Sequence, residues 1–489
     1  MSAVASRSSR SAETRSRLDH PVIDGDGHTI EYDPLFFDYL EEVGGRSMVE
    51  RYHKLGTKGG VYYSATDAER FDRRLARIPY WGNPSRNTYD RATAMLPELL
   101  RSRLDELGID FTVLHTSMLH LNRFPDEEIR RAGCRALNKM RADMFASHGD
   151  RMAPAAAIPM HTPEEAIEEL EFAVRKLGAK AIMIAGVVRR PVPIIAREAP
   201  ELARFAYWID NLGVGSAYDY DPFWAKCVEL KVAPMSHTSG IWGSRADTKN
   251  FVFNHIGHFA ASGEASCKGL FLGGVTRRFP NLRFGFMEGG VNWACGLYND
   301  LFEHWEKRNH TALVENLNPA TIDRKRLGDL LAQHGGKHLA KFAERVRQEG
   351  IPGIPQEDPA NLDDFKHCGI TSEQDIHDLF VPFFHFGCEA DDRMNHGAFD
   401  RKVNRLGAAL KATFSSDIGH WDVNEMSDVL AEAHEAVEHG LMTEADFRGL
   451  TFANPVSLFA SLNPDFFKGT VVEGAVAAER TAQRQRSAA

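Results

Sequence analysis

Three ionisable side chains alternate along the stretch PVIDGDGHTI at residues 21–30. In an extended strand, Asp24, Asp26 and His28 would all point to the same face. Carboxylates and imidazoles that are buried together are costly unless they are paired or bind a cation. Oxygen and nitrogen donors of this kind are the usual protein ligands of divalent metal ions. The stretch therefore predicts part of a metal site.

Two further candidate ligands follow apolar runs much later in the chain: His237 in VAPMSHTSG and Asp417 in ATFSSDIGH. Together with Asp26 and His28 they form a mixed set of four, which favours Zn²⁺, or Mn²⁺ or Fe²⁺ if more carboxylate takes part. Asp24 would lie one layer deeper and orient a ligand. Each residue also has an ordinary interpretation, since Asp417 could cap a helix and a lone histidine in a strand is usually a hydrogen-bonded core residue.

These residues need a scaffold that brings distant segments to one place. Short apolar runs recur along the chain, separated by amphipathic patterns such as the one at 162–178, where Thr162 and Glu165 predict a capping box. Alternating strands and helices of this kind predict an α/β protein with a distorted (β/α)₈ TIM barrel. The eight candidate strands are 21–26, 111–116, 153–159, 180–186, 232–237, 282–288, 383–389 and 412–417.

We expect a single barrel over residues 20–470, with helical insertions at 32–100 and 309–380 that cap its mouth. Residues 1–19 and 471–489 are predicted to be disordered tails. Polar side chains collect at the carboxyl ends of the predicted strands, which share one mouth in a parallel barrel. Besides the candidate ligands, these polar residues include His115, His161, Arg189, Arg190, Glu288, His385 and Glu389.

The composition excludes several classes of protein. The formal net charge is -10, and clustered Lys and Arg are lacking beyond the first residues, so a nucleic-acid partner is not expected. The longest apolar run, AIMIAGVV at 181–188, is too short to span a membrane, and the Ser- and Arg-rich start lacks the apolar segment of a secretory signal. The six cysteines show no regular spacing, which indicates reduced thiols and a cytoplasmic protein.

Several motifs together resemble the amidohydrolase superfamily, and within it the branch around aminocarboxymuconate-semialdehyde decarboxylase and the resorcylate decarboxylases. They are the DxH of the first strand, DPFWAKCVELKVAPMSHTSG (221–240), GGVTRRFPNLRFGFMEGG (273–290), TFSSDIGHWD (413–422) and LTFANPVSLF (450–459). The resemblance runs from about residue 21 to about residue 465, apart from the insertions. It implies a distorted barrel with one catalytic divalent metal, held by Asp26, His28, His237 and Asp417, and a homodimer.

The chain departs from the family pattern at several positions. The first ligand is Asp26, where many relatives have His and some decarboxylases Glu. Glu288 stands at the end of strand six, where the decarboxylases place a catalytic histidine. The bridging lysine of two-metal relatives is missing, because Lys180 lies at the wrong end of strand four; this favours a mononuclear site. His255 and His258 follow strand five, and either could enter the site or simply lie on a helix.

Three functions are compatible with these residues. The first is hydrolysis of a small cyclic or carboxylated substrate by a metal-activated water, with Asp417, Glu288 and His258 as catalytic groups. The second is metal-dependent non-oxidative decarboxylation, and the third is binding without catalysis. Glu288 in place of histidine favours hydrolysis over decarboxylation. Candidate substrate-binding residues are Arg189, Trp293, His115 and His420.

Overall fold

The computed structural model describes residues 8–54, 60–77, 87–203, 205–238, 240, 247–351 and 362–488. The strands of these residues are β1 Ile23–Thr29, β2 Phe111–Thr116, β3 Met152–Ile158, β4 Ala181–Ile184, β5 Val188–Pro191, β6 Tyr207–Asp210, β7 Pro234–Ser236, β8 Phe284–Phe286, β9 Phe384–Glu389 and β10 Lys411–Ser415.

The α-helices of the same residues are α1 Arg10–Arg17, α2 Asp33–Gly44, α3 Arg46–Lys54, α4 Gly60–Ser64, α5 Asp67–Asp72, α6 Thr88–Met95, α7 Pro97–Leu107, α8 Glu127–Phe145, α9 Pro163–Leu177, α10 Pro193–Glu198, α11 Asp221–Leu230, α12 Phe251–His255, α13 His258–Leu272, α14 Val275–Arg278, α15 Asn292–Arg308, α16 His310–Ala312, α17 Arg324–His334, α18 Gly336–Leu339, α19 Ala343–Glu349, α20 Glu373–Phe380, α21 Val429–Glu438, α22 Glu444–Arg448, α23 Asn454–Ala460 and α24 Glu473–Ala488.

Eight strands form one parallel sheet in the order β1-β2-β3-β4-β7-β8-β9-β10. The two edges of this sheet meet, because the His28 N–H donates to the Ile418 carbonyl at 3.0 Å and the Asp417 N–H donates to the Asp26 carbonyl at 3.1 Å. The predicted (β/α)₈ TIM barrel is therefore confirmed, and each of the eight predicted strands overlaps an observed one. The helix predicted at 162–178 is α9, with both halves of the capping box formed.

Aromatic side chains cover the helix-facing side of β8 and β9. The rings of Phe286 and Phe386 stack with centroids 5.9 Å apart, and Trp293 of α15 contacts both rings edge-on. Since side chains alternate along a strand, the residues next to these phenylalanines face the barrel interior. One of them is Gly387, directly after Phe386, where a Cβ atom would lie 2.9 Å from Ser415 Oγ. The interior is thus closely packed just below the site.

The run AIMIAGVVRR contains the predicted strand 180–186 and the two arginines expected at its carboxyl end, and it forms two separate strands. β4 belongs to the barrel, whereas β5 pairs with β6 in an antiparallel hairpin. Arg190 is buried in this hairpin, where it forms an ion pair with Asp210 and donates to the Tyr220 hydroxyl at 2.9 Å. Arg189 is exposed and lies over the Tyr207 ring at 4.8 Å. The hairpin therefore moves both arginines off the barrel sheet.

The chain divides into two compact units. One comprises residues 1–298 and 377–489 and contains the barrel. The other, Asn299–Ile376, is helical and coincides with most of the insertion predicted at 309–380. The insertion predicted at 32–100 contributes α2 to α6 to the barrel unit. That the insertions cap the barrel mouth remains a prediction.

The prediction of disordered tails is wrong for the described parts of both. Residues 10–17 form α1, which is capped by Ser9 and anchored by Ser11, whose buried hydroxyl accepts from the Leu430 N–H at 3.0 Å. Residues 473–488 form α24, where the carboxylate of the buried Glu479 pairs with Arg448 at 2.6 Å. These anchors are long-range contacts that Ser- and Arg-rich composition does not reveal.

All six cysteines are buried free thiols, as the sequence predicted. Among the described residues, no helix combines the length and apolar character required to cross a bilayer.

Candidate metal centre

Asp26, His28 and His237 converge at the carboxyl ends of β1 and β7. Asp26 Oδ1 lies 3.7 Å from His28 Nε2 and 3.6 Å from His237 Nε2, and the two Nε2 atoms are 2.9 Å apart. Donors bound tetrahedrally to one ion at about 2.1 Å would be about 3.4 Å from each other. The three atoms therefore have the spacing of ligands around a single ion.

Glu288 brings a further oxygen to the same place from the end of β8. Its Oε2 lies 3.0 Å from His237 Nε2 and 3.8 Å from His28 Nε2. The sequence analysis assigned Glu288 a catalytic role and did not include it among the candidate ligands. The signal was present in FMEGG, since a carboxylate directly after a buried strand is placed at the barrel mouth.

Asp417 meets His28 on the other side of the imidazole ring. Its Oδ1 lies 3.1 Å from His28 Nδ1 and 2.5 Å from His420 Nδ1. Glu288 Oε1 is 3.7 Å from the same His420 nitrogen. The structure therefore brings Asp417 into the cluster, as predicted. It lies beside Nδ1 of His28, whereas Asp26 and His237 lie beside Nε2.

These donors form two overlapping groups that could each hold a metal ion. One group is Asp26, His28 and His237; the other is His28, Glu288, Asp417 and His420. Within each group, one ligand atom per residue lies within 4.8 Å of all the others, and every residue is buried. His28 is the member that the two groups share.

The backbone is bent to aim two of these carboxylates. Glu288 has φ 56° and Asp417 has φ 51°, both in the left-handed region that non-glycine residues rarely adopt. Such a conformation costs about 1–3 kcal/mol and persists only when the surroundings impose it. At Asp417 the hydrogen bond from its N–H to the Asp26 carbonyl helps to impose it.

Asp24 supports the cluster from below, in the position that the sequence predicted. Its Oδ1 accepts from the backbone N–H groups of Asp26 at 3.1 Å and Ser416 at 2.9 Å. Its Oδ2 accepts from the hydroxyls of Ser416 at 2.7 Å and Thr112 at 2.8 Å. One buried carboxylate thus ties β1, β2 and the end of β10 together beside two candidate ligands.

Burial disfavours the charged forms of the carboxyl groups and imidazoles in the cluster. It raises the pKa of Asp26 well above the ordinary value, and the neighbouring Asp417 adds to this effect. Burial likewise raises the pKa of Glu288 and of Asp417. It lowers the pKa of His28 and His237 well below the ordinary value, and nearby imidazoles lower it further. Like charges repel each other here, which is the arrangement that a bound cation would stabilise.

The donor atoms fit a divalent ion in a second respect. Both oxygens of Asp26, Oε2 of Glu288 and Oδ1 of Asp417 are buried without a hydrogen bond of ordinary geometry among the described residues. Buried carboxylate oxygens in folded proteins almost always have a partner. A cation bound here would supply the missing interactions.

Two predicted substrate-binding histidines lie at the cluster: His420 belongs to the second group, and His115 borders the first. His115 Nε2 lies 3.7 Å from Asp26 Oδ1, and the His420 ring lies 3.8 Å from the His28 ring between centroids. Burial lowers the pKa of both imidazoles to about 3. Both rings are therefore neutral at physiological pH.

The other predicted site residues lie outside the two groups. His258 begins α13 and contacts Phe259, whose ring meets His237 edge-on at 5.0 Å. Trp293 packs against β8 and β9, and Arg189 is exposed on the β5–β6 hairpin. His385 is buried near the start of β9, at the opposite end of the strand from Glu389.

Comparison with known proteins places this geometry in a family context. A family model described as Amidohydrolase matches residues 52–335, which is more than half of the chain. An amidohydrolase from Mycobacterium avium subsp. paratuberculosis K-10 is 15% identical with a TM-score of 0.51, and the match covers 90% of this chain and 98% of that one. At this identity the likeness concerns the fold.

Two decarboxylase structures are also similar. A dihydroxybenzoic acid decarboxylase from Polaromonas sp. JS666, with bound manganese and the inhibitor 2-nitroresorcinol, is 16% identical with a TM-score of 0.48, covering 92% of this chain and 99% of that one. A 2,6-dihydroxybenzoate decarboxylase from Rhizobium is 16% identical with a TM-score of 0.45, covering 90% of this chain and 98% of that one.

Proposed function

The chain belongs to the amidohydrolase family, and we propose that it is a metal-dependent non-oxidative decarboxylase of a small cyclic carboxylate. Asp26, His28 and His237 would hold the ion, with Glu288 Oε2 as a further donor. Two imidazoles with carboxylate oxygens suit Zn²⁺ and Mn²⁺ alike. When bound, the ion supplies a Lewis acid that polarises the substrate carboxylate and an adjacent oxygen.

The observation that carries this proposal is the near-complete burial of the donor set. The side chains of the six donors are between 0% and 4% exposed: Asp26, His28, His237, Glu288, Asp417 and His420. Decarboxylation consumes no water, whereas hydrolysis needs one delivered for every turnover. In a site of low dielectric constant, a localised carboxylate charge is destabilised more than a dispersed one. A transition state that disperses this charge is therefore favoured relative to the ground state.

Decarboxylation needs a proton for the carbon that loses the carboxylate, and we propose Glu389 as its donor. Glu389 ends β9, where it pairs in register with Ser415, two residues before Asp417. Burial, and then the negative charge of Asp417, raises the pKa of Glu389 well above its ordinary value. Its side chain keeps partial exposure, so solvent can return the proton after each turnover.

The proposed reaction balances without an oxidant. The bond between the ring carbon and the carboxylate breaks, its electron pair stays on the ring carbon, and carbon dioxide leaves. The Glu389 proton then forms the new C–H bond. The neutral rings of His115 and His420 would border the substrate. Trp293 packs on the helix-facing side of the barrel and Arg189 lies on the exposed hairpin, so neither is proposed as a substrate contact.

Hydrolysis is the second candidate, and one contact favours it. Asp417 Oδ1 and His420 Nδ1 are 2.5 Å apart, a carboxylate–imidazole pair that could accept the proton of an activated water. The burial of the donors leads us to place decarboxylation ahead of hydrolysis, which reverses the order that Glu288 suggested from the sequence alone.

Isotope labelling separates the two reactions. The Mn²⁺- or Zn²⁺-loaded protein is incubated with 2,6-dihydroxybenzoate and a panel of other ortho-hydroxy aromatic acids, amides and lactones. A decarboxylase in D₂O gives carbon dioxide and a product with deuterium at the former carboxyl position. Incorporation of ¹⁸O from labelled water, without carbon dioxide, would establish hydrolysis instead.

A variant tests the proton donor. Glu389→Gln should lower kcat about 10²–10⁴-fold, the usual contribution of a general acid. Glu306→Gln, at an exposed position of α15, is the matched control and should leave kcat unchanged. A Glu389→Gln enzyme with full kcat would exclude Glu389 as the donor.

A further inference from the structure

A cavity of about 200 Å³ lies in the barrel unit between α8, β3 and the segment that leads into β4. None of the candidate ligands of the metal centre lines it. Its wall is exposed at Ala146 and Gly149, so the space opens to solvent there. An apolar cavity of about 150 Å³ can hold a benzene molecule, so this one has room for a single ring or a short alkyl chain.

The sequence accounts for this space. β3 reads MAPAAAI, and its alanines leave a gap beside α8 that larger side chains would fill. The remaining walls are mostly apolar and include Phe111, Phe145, Met152 and Leu177. An ordered water molecule needs about two to four polar partners, which apolar walls lack. The cavity therefore suits the apolar body of an organic molecule better than it suits water.

Two cationic side chains, Arg141 and Lys180, also line the cavity, and no described Asp or Glu does. The Nη atoms of the buried Arg141 donate to the Glu31 carboxylate at 2.6 Å and to the Leu114 carbonyl at 2.7 Å. Its Nε is buried and has no hydrogen-bond partner among the described residues. Lys180 Nζ donates to the Phe466 carbonyl at 3.0 Å, which uses one of its three N–H groups. Glu31 balances the charge of Arg141, whereas no carboxylate of the described residues forms an ion pair with Lys180.

The strand register places the two cations on either side of β3. Leu114, whose carbonyl accepts from Arg141, pairs with Pro154 of β3. In the parallel register of β3 and β4, Pro154 is level with Lys180. Adjacent strands are about 4.8 Å apart, so Leu114 and Lys180 are separated by two spacings, or about 10 Å. The cavity between them therefore has the dimensions of one small organic molecule.

We propose that this cavity binds a small carboxylate with an apolar body, such as a simple aromatic acid or a short aliphatic acid. The apolar walls would enclose the ring or chain, and the carboxylate would accept a charge-assisted hydrogen bond from Lys180 Nζ. Burial lowers the pKa of Lys180, because its ammonium group loses contact with water, and a bound carboxylate would offset that loss. This site is separate from the metal centre and does not depend on the proposed function.

Equilibrium dialysis tests the site without reference to catalysis. The full-length protein is dialysed against labelled benzoate or hexanoate, with Mn²⁺ or with EDTA, which separates binding to a metal ion from binding to the cavity. We expect one molecule per chain to be retained in EDTA. Benzamide and hexanamide should bind about 10–100-fold more weakly, because a neutral amide lacks the charged acceptor for Lys180. No binding of either acid at about 10 mM in EDTA, or equal affinity for acid and amide, would overturn the proposal.

Two variants locate the bound acid. Lys180→Met keeps the length of the side chain without its charge, and should weaken benzoate binding about 10–100-fold while leaving benzamide binding unchanged. Gly149→Leu should obstruct the opening and weaken the binding of both; a Cβ atom at this position meets no atom within 4 Å, so the larger side chain has room.

Matched controls are Lys176→Met and Gly474→Leu, which change exposed residues outside the cavity and should bind benzoate as the unchanged protein does. Circular dichroism checks that each variant is folded. Full benzoate affinity in folded Lys180→Met would refute the recognition of a carboxylate by this lysine. Full affinity in folded Gly149→Leu would place the bound acid outside the cavity.

Discussion

Asp24 connects the stability of the barrel to the geometry of the metal centre, and its removal has a calculable cost. Replacing it with Ala leaves the buried N–H groups of Asp26 and Ser416 without their acceptor. Each unsatisfied buried donor costs about 1–3 kcal/mol, so Asp24→Ala should lower the free energy of unfolding by about 2–6 kcal/mol. The two hydroxyls that also bond to Asp24 can rotate to other partners.

Asp24→Asn should cost less than Asp24→Ala. The amide oxygen can still accept from both N–H groups, and the hydroxyls of Thr112 and Ser416 can turn to accept from the amide nitrogen. What is lost is the extra strength of bonds to a charged acceptor, offset by the smaller desolvation of a neutral group. We expect a loss of about 1–2 kcal/mol.

Both variants should also weaken metal binding about 10–100-fold, because Asp24 holds the backbone beside Asp26 and Asp417. Urea unfolding of the metal-free protein gives the stability change, and calorimetric titration with Mn²⁺ gives the affinity change. Asp300→Asn, at an exposed position of α15, is the control. Asp24→Ala within about 0.5 kcal/mol of the unchanged protein, the range of neutral surface substitutions, would refute this reasoning.

Three further outcomes are expected. Gly387→Ala should destabilise the barrel by about 1–3 kcal/mol in urea unfolding, because its Cβ would lie 3.0 Å from Met287 Cα; an unchanged midpoint would show that the strand can shift. Burial lowers the pKa of His385 well below 6.5, so below pH 6.5 the unfolded chain binds a proton here that the folded protein does not, and the free energy of unfolding falls as the pH falls. In His385→Leu the free energy of unfolding should therefore depend less steeply on pH between 6.5 and 5, by up to about 1.4 kcal/mol per pH unit. An unaltered slope would contradict the lowered pKa of His385. Above the dissociation constant, each tenfold increase in free Mn²⁺ should raise the free energy of unfolding by about 1.4 kcal/mol, an effect that EDTA reverses; a response independent of metal would exclude a folded-state site.

The barrel could be predicted because its strands are short apolar runs between helical patterns with clear caps, such as Thr162 and Glu165 before α9. The splitting of AIMIAGVVRR could not, since it depends on Arg190 pairing with Asp210, a contact between separate segments. Local composition likewise concealed the anchoring of the terminal helices by Ser11 and Glu479.

The candidate ligands could be predicted in type but not in arrangement. Alternation along β1 put Asp24, Asp26 and His28 on one face, and strand-end positions indicated His237 and Asp417. Spacing does not show which nitrogen of His28 each partner approaches, because this depends on ring orientation within the folded barrel. The ligand geometry of Glu288 was missed for the same reason, since its side chain is aimed by a left-handed turn.

The left-handed turns at Glu288 and Asp417 also determine which substitutions a screen for stability should favour. Glycine adopts such backbone angles freely, so Glu288→Gly would relieve both the strained turn and the crowding of negative charge. A screen that rewards heat resistance in metal-free medium should therefore recover variants that have lost the proposed metal site. Engineering a sturdier form of this protein will need a screen for activity at every round.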